Sequence, residues 1–327
     1  MSFHLAFNPK KSDHKITHQQ SLLFIGSCFS EHISHQLSAL KFQVSSNPFG
    51  IVFNPKSIEL LLIRIIEKNY FNEKDILEKE GIFFCLDTHT SFSDTNRDHL
   101  LNTLNQTIES WHSKLKTTHW LVITFGSAYA YQDKNQNKVV ANCHKLPAAY
   151  FTKHLLSVSA IVSDYQLLVD KLKVFNPKLH ILFTVSPVKH LRDGIIENNL
   201  SKAVLIQSEH HLIEKNNQCS YFPSYELVND DLRDYRFYEA DMAHPNQQAI
   251  DYVWKKFENV YFAEKTKLLN DRIQEITAAM NHKPFRIESE SFSSFKKTMY
   301  RKCQAIIKEE EWLNLDKELT YFSYQRD

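Results

Sequence analysis

Four apolar runs of strand length alternate along the chain with segments whose apolar residues recur at helical spacing. The runs are residues 22–25, residues 42–44, Trp120–Phe125 and His180–Val185. Each is followed by a turn-forming residue. This alternation predicts an α/β fold in which a mostly parallel sheet is covered by helices on both faces.

Helical spacing is clearest directly after the first run, where Ile33, Leu37 and Leu40 would place one apolar face on the sheet. Further helices are expected at about 57–69, 94–115, 150–174, 198–215 and 246–263. Residues 129–140 carry a polar centre and predict a hairpin after the third strand, where it could form a wall of a site.

Beyond residue 264 the pattern becomes helical and charged, with apolar residues on one stripe from Leu269 to Met280. We therefore expect two parts, an α/β domain over residues 1–264 and a helical C-terminal extension over residues 265–327, packed on the first. The later run of charged residues at 308–311 is typical of a solvated helix face.

Charge and cysteine content narrow the class of protein. The 39 Lys and Arg nearly balance the 38 Asp and Glu, so no general field attracts polyanions, and nucleic acid is not an expected partner. The five cysteines contain no CxxC and favour a reducing compartment. No signal-peptide pattern and no apolar run of membrane-spanning length occur. We expect a cytoplasmic protein with no membrane span and no cofactor.

Only five glycines occur, and Gly26, Gly50 and Gly126 each follow an expected strand. Glycine allows positive φ and close approach of the backbone to a ligand. Open α/β sheets bind ligands at the carboxyl ends of their strands. This edge of the sheet is the candidate site.

Ser27 follows the first strand and stands where the next helix begins. Free N–H groups and the helix dipole stabilise negative charge there, which suits a nucleophile whose attack produces an oxyanion. The alternative is that Ser27 only caps the helix. Cys28 is a rival nucleophile, because a thiol at a helix N-terminus has a lowered pKa.

Asp241 and His244 stand three residues apart just before the last helix of the α/β domain. At this spacing the carboxylate can fix the imidazole tautomer while the other ring nitrogen faces a serine. The alternative is an Asp at the entry of a helix with an incidental His, in a chain that contains 17 histidines.

A serine after the first strand and a late Asp-x-x-His resemble the SGNH (GDSL-like) hydrolases, and more closely the bacterial GSCFA-domain family. The family name spells the motif Gly-Ser-Cys-Phe-Ala, and in this chain Ser30 takes the place of the alanine. The matching stretches are Gly26-Ser27-Cys28-Phe29-Ser30, Asn47-Pro48-Phe49-Gly50, Asn142-Cys143-His144-Lys145-Leu146-Pro147, residues 184–190, residues 221–226, Asp234-Tyr235-Arg236-Phe237 and residues 241–245.

The resemblance implies a three-layer, flavodoxin-like α/β/α fold and an ester hydrolase that works through an acyl-serine. Ser27 would be the nucleophile, His244 the base and Asp241 the residue that orients it. The oxyanion donors would come from the backbone of Ser27 and from a glycine after the second strand, best matched by Gly50. The substrate would be an acyl ester of a small molecule, carbohydrate or lipid.

The chain departs from the SGNH pattern after the third strand. Where these enzymes have Gly-x-Asn-Asp, this chain has Gly126-Ser127-Ala128-Tyr129. Loss of one oxyanion donor costs about 10²–10³ in rate. Either Asn47 or Ser127 replaces the missing asparagine, or the protein is a weak or altered enzyme. An acyltransferase and a non-catalytic binding protein of the same fold are therefore the alternatives.

Other polar residues near the expected strand ends are candidates for substrate binding. They are Asn142, His144, His190 and Arg192, with Asn198, Ser201 and Lys202 beyond them. Arg192 could hold a carboxylate or a phosphate. The alternative for each is an ordinary loop or capping residue. We expect no metal, since no HExxH or close pair of histidines occurs.

Overall fold

The computed structural model describes residue 5, residues 7–282, residue 286 and residues 289–323. Its strands are, in chain order, β1 (Ser21–Gly26), β2 (Gln43–Ser46), β3 (Leu77–Lys79), β4 (Ile82–Phe84), β5 (Ser93–Asp94), β6 (Trp120–Phe125), β7 (Tyr129–Asp133), β8 (Lys138–Val140), β9 (Phe151–Leu155), β10 (His180–Val185) and β11 (Cys219–Tyr221). Its helices are α1 (Cys28–Ala39), α2 (Pro55–Glu67), α3 (Arg97–Thr117), α4 (Val158–Phe175), α5 (Ile195–Lys215), α6 (Ser224–Glu226), α7 (Gln247–Tyr261), α8 (Glu264–Asn281), α9 (Glu290–Glu309) and α10 (Asp316–Phe322).

The central sheet has five parallel strands in the order β11-β10-β6-β1-β2. Trp120 of β6 pairs with Leu22 of β1 and with His180 of β10, so the three inner strands are in close register. This is the flavodoxin-like strand order, in which the chain reverses direction across the sheet between β1 and β6. The predicted fold class is confirmed.

Helices cover both faces of the sheet because its inner strands are apolar on both sides. Leu23 and Ile25 of β1 face a core shared with α2, α3, α4 and α5. Leu22 and Phe24 face a second core shared with α1 and α7. Helices α8, α9 and α10 contribute to this second core through Ile273, Cys303, Phe322 and others. The division of the chain at residue 264 stays a prediction.

The expected strands and the hairpin at 129–140 are confirmed, but the start of the helix expected at about 150 is wrong. Phe151–Leu155 is a strand that pairs antiparallel with Tyr129–Asp133 of the hairpin. The helix begins after Ser157, whose Oγ accepts a hydrogen bond from Ala160 N–H at 3.2 Å. Pairing with a strand about twenty residues earlier overrides the local pattern. The short strands β3, β4, β5 and β11 were not expected from sequence.

Gly26 ends β1 with a φ of +142°. A Cβ at this position would lie 2.2 Å from the carbonyl oxygen of Thr124 on β6. Glycine is therefore required for the two strands to stay paired up to the point where the chain turns into α1. No helix in the described part of the chain is long and apolar enough to cross a membrane.

Candidate active site

Ser27 lies at the boundary between β1 and α1, next to the point where the strand order reverses. Its side chain is buried, and its Oγ accepts a hydrogen bond from Phe29 N–H at 3.3 Å, so Ser27 is the N-cap of α1. Its own N–H donates to Thr124 O at 3.2 Å. Ser27 is thus fixed at the carboxyl edge of the sheet, where ligands bind in this class of fold.

Asp241 and His244 form a hydrogen-bonded pair. Asp241 Oδ2 lies 2.6 Å from His244 Nδ1, while Oδ1 accepts hydrogen bonds from the N–H groups of Ala243 at 2.9 Å and His244 at 3.0 Å. The pKa of Asp241 is lowered to about 2 by the backbone hydrogen bond from His244, by that from Ala243 and by the imidazole of His244. The carboxylate is therefore ionised at neutral pH, and it leaves His244 Nε2 available for other contacts.

The loop that carries this pair is attached to the segment that follows β10. Lys189 N–H donates to Ala243 O at 3.0 Å. Burial lowers the pKa of His190 and partial desolvation lowers that of His32, and protonation of the nearby His244 would lower both further. His32 lies on α1, one turn beyond Ser27. The structure therefore brings the Asp241–His244 pair to the edge of the sheet where Ser27 lies.

Ser27 and His244 are not hydrogen-bonded to each other. Within the described ranges, the hydrogen bond from Phe29 N–H is the only one that Ser27 Oγ makes. The imidazole of His244 is about half exposed. Hydrogen bonds between catalytic groups are often long before substrate binds. Because Ser27 Oγ bonds to Phe29 N–H, a nucleophilic role would require the Ser27 side chain to rotate towards His244.

The backbone N–H groups of the predicted oxyanion residues Gly50, Gly126 and Ser127 are all engaged inside the protein. Gly50 N–H donates to Asn47 O at 3.0 Å, and the N–H groups of Gly126 and Ser127 donate to Phe53 O at 2.8 and 3.4 Å. The side chain of Asn47 accepts from Gly26 N–H and donates to Glu31.

Cys28 N–H is a donor that the sequence did not single out. It is the first N–H of α1, and no other residue in the described part of the chain accepts it; its contact is with the thiol of Cys28 itself. The thiol of Cys28 is largely buried, and burial, with the nearby Glu31, raises its pKa. A raised pKa disfavours the thiolate on which the rival role of Cys28 as a nucleophile depends.

Two of the predicted binding residues, Asn142 and His144, take part in a local turn. Asn142 Oδ1 accepts a hydrogen bond from His144 N–H at 2.8 Å. The His144 ring is buried, stacks on Phe84 and lies 2.9 Å from Thr88 O through Nε2. Burial lowers its pKa, so the ring is neutral at physiological pH. Both side chains hold the loop that follows β8.

His190 and Arg192 follow β10. The His190 ring packs on Phe53, and its Nε2 is buried with no partner among the described residues. Burial, followed by the charges of Lys202 and His244, lowers its pKa to about 3. Arg192 is exposed. Burial raises the pKa of the Cys143 thiol, and the charge of Arg192 lowers it.

Lys202, one of the polar residues expected near the end of the fourth strand, lies beneath the same edge of the sheet. It is 1% exposed, and its Nζ donates to Gly126 O at 2.6 Å and to Ser186 O at 2.7 Å. The sequence signal was a set of polar residues on the buried face of a helix. The members of that set in α5 are Asn198, Ser201, Lys202, Ser208 and Glu209.

The described part of the chain contains no group of three or more His, Cys, Asp or Glu placed to hold a metal ion.

The fold and the site together define a three-layer α/β protein with a buried serine and an Asp–His pair at the carboxyl edge of its sheet. The chain belongs to the GSCFA family, whose model matches residues 21–257. A second model, the C-terminal domain of GSCFA domain proteins, matches residues 273–325.

No curated protein matches the chain. Among solved structures, it is similar to a carbohydrate esterase family 3 protein from Talaromyces cellulolyticus, at 6% identity and a TM-score of 0.37, over 77% of this chain and 99% of the other. It is also similar to an acetyl xylan esterase from Butyrivibrio proteoclasticus, at 10% identity and a TM-score of 0.36, over 80% and 66%. Similarities this low do not assign an activity to the chain.

Proposed function

We propose that this protein is a serine ester hydrolase in which Ser27 is the nucleophile, His244 the general base and Asp241 the residue that orients it. The observation that carries the proposal is the Asp241–His244 pair, with 2.6 Å between Oδ2 and Nδ1, on a loop attached to the sheet edge where Ser27 begins α1. Such a pair makes a neighbouring serine hydroxyl nucleophilic by accepting its proton.

In the proposed reaction, Ser27 Oγ attacks the carbonyl carbon of the ester while its proton moves to His244 Nε2. The tetrahedral intermediate collapses, and the C–O bond to the alcohol breaks as the alkoxide takes the proton from His244. Water then attacks the acyl-serine with the same base, which releases the carboxylic acid and restores Ser27. Asp241 stays ionised and stabilises the imidazolium in both halves of the reaction.

We assign the Cys28 N–H as an oxyanion donor, since it follows the nucleophile and no backbone carbonyl within the described residues accepts it. The N-terminal end of α1 adds partial positive charge at the same place. The proposed substrate is an acyl ester of a small molecule or a glycan. A cytoplasmic location is part of the proposal, supported by the five free cysteines.

A fluorophosphonate probe and short-chain aryl esters test the proposal. We expect the probe to label Ser27 in the wild-type protein, with labelling and ester hydrolysis lost in Ser27→Ala and in His244→Ala. Ser38→Ala is the matched control, because Ser38 lies on α1 and is exposed. Labelling that persists in folded Ser27→Ala would overturn the assignment of the nucleophile.

A second candidate is a non-catalytic binding protein of the same fold. It is supported by the internal hydrogen bonds of Gly50, Gly126 and Ser127, whose N–H groups already have acceptors. This candidate predicts that the wild-type protein neither reacts with the probe nor turns over any ester. Turnover that depends on Ser27 eliminates it.

A further inference from the structure

One buried ammonium group joins the ends of two neighbouring strands beneath the candidate site. Lys202 Nζ donates to Gly126 O, directly after β6, and to Ser186 O, directly after β10. Gly126 N–H is in turn held by Phe53 O, in the loop that follows β2. A single side chain from α5 thus fixes the relative positions of two loops at the carboxyl edge of the sheet.

The charge of Lys202 has no ionised partner in contact with it. No salt bridge involves Lys202 within the described ranges, so carbonyl dipoles are its direct partners. Glu209, seven residues further along α5, is itself fully buried, and burial raises its pKa well above the usual value. A buried cation without a carboxylate carries a desolvation cost. That cost is offset where negative charge develops nearby.

The groups that face Lys202 come from several elements. They are the thiol of Cys28 on α1, the imidazole of His190 after β10, the ring of Tyr225 on α6, with its centroid 5.9 Å from Nζ, and the carboxyl group of Glu209 on α5. Cys28 is the residue directly after Ser27. Ser27 N–H donates to Thr124 O, two residues before Gly126, so the strand end that Lys202 holds is the one against which the proposed nucleophile is fixed.

We propose that Lys202 is a positioning residue for the Ser27 reaction: its ammonium group holds the loops after β6 and β10 together and stabilises the negative charge that develops beside Ser27. It compensates in this way for the oxyanion asparagine that is absent from the loop after β6. This inference rests on the proposed function, because it concerns the same reaction.

The role of Lys202 has a consequence for the dependence of the rate on pH. Burial lowers the pKa of Lys202 to about 7. The positive charge is therefore lost as the pH rises through neutrality, and with it the stabilisation of the oxyanion. Arginine keeps its charge throughout this range.

The test compares kcat/KM for an aryl ester between pH 5 and pH 10 in the wild type, Lys202→Arg and Lys202→Met. For the wild type we expect a decline in rate above about pH 7. Lys202→Arg should lack that decline, whereas Lys202→Met should be slower by about 10²–10³-fold at pH 6, as for the loss of an oxyanion donor. If Lys202 had a purely structural role, both variants would be slower by the same factor at every pH, and the decline above about pH 7 would remain.

A decline that persists in folded Lys202→Arg would overturn the inference, as would a wild-type rate in folded Lys202→Met. If neither variant folds, the wild-type protein labelled with ¹³C at the lysine Cε positions gives the answer. A buried lysine that titrates at the pH where the rate declines supports the inference, and the lack of one overturns it. If the fluorophosphonate probe does not label Ser27 in the wild-type protein, the proposed function is refuted and the role of Lys202 with it. If the wild type is labelled but the Lys202 variants keep its dependence of kcat/KM on pH, the role of Lys202 alone is refuted.

Discussion

Asn47 Oδ1 accepts the hydrogen bond of Gly26 N–H at 2.9 Å, so the residue before Ser27 is held by the loop that follows β2. Asn47 itself has a φ of +43°, in the left-handed region where asparagine is better tolerated than most residues. Its amide nitrogen donates to Glu31 Oε1 at 3.1 Å, which adds a contact to the first turn of α1. One side chain thus joins the end of β1, the loop after β2 and α1.

Asn47→Ala should destabilise the protein by about 2–4 kcal/mol, because it leaves the buried Gly26 N–H without an acceptor and places alanine in the left-handed region. Urea denaturation measures the loss. Asn137→Ala is the control, since Asn137 has a similar φ of +54° in an exposed turn. An equal loss in the two variants would contradict the importance of the contact with Gly26.

Asp241→Asn should lower kcat for an aryl ester by roughly 10⁴-fold with little change in KM, as expected when the orienting carboxylate of a triad is replaced. The control is Asp94→Asn, because Asp94 Oδ2 lies 2.6 Å from His99 Nδ1 in an exposed pair of the same geometry. We expect full activity in Asp94→Asn. A comparable fall in both variants would point to a general effect on folding.

The buried His190 should make the protein less stable in acid. Its pKa of about 3 in the folded protein lies below the ordinary value of 6.5. The unfolded chain therefore binds one more proton between these values, and stability is present above about pH 6.5 and lost as the pH falls towards 3.

His190→Gln should reduce the slope of the unfolding free energy against pH by up to about 1.4 kcal/mol per pH unit in this window. Chemical denaturation at a series of pH values between 4 and 7 gives the slope. Comparison of slopes separates this effect from any uniform loss due to altered packing on Phe53. An unchanged slope would show that His190 does not stay neutral in the folded protein.

Gly26→Ala should destabilise the protein by about 3 kcal/mol or more, since the added Cβ would meet the backbone of Thr124 and the positive φ adds strain. Gly81→Ala is the matched control, because Gly81 also has a positive φ but a Cβ there meets no atom within 4 Å. We expect a loss of about 1 kcal/mol for the control. Thermal unfolding followed by circular dichroism compares the two.

Much of the fold could be predicted from the sequence because the inner strands and the helices have strong local periodicity. The runs that become β1, β6 and β10 are apolar on both faces, as buried parallel strands require. Phe151–Leu155 was predicted to be helical because its strand conformation depends on pairing with Tyr129–Asp133. Short strands such as β11 lack a pattern long enough to be detected.

Only part of the proposed site could be predicted from the sequence. The Asp241–His244 pair could be predicted because the two residues share one turn, and their contact needs no distant partner. The hydrogen bonds of Gly126 N–H with Phe53 O, and of Lys202 with two carbonyl groups, join segments far apart in the chain. No local spacing encodes such contacts.

The sequence by itself therefore determined the inner strands β1, β6 and β10, the helix that Ser27 caps and the Asp241–His244 pair, because each depends on neighbours within a few residues. The tertiary structure alone decided the order of the strands, the engagement of the expected oxyanion donors and the burial of Lys202 beneath the site. The physical reason is that hydrogen bonds and desolvation depend on which surfaces meet when the sheet and its helices pack, and those surfaces come from distant parts of the chain.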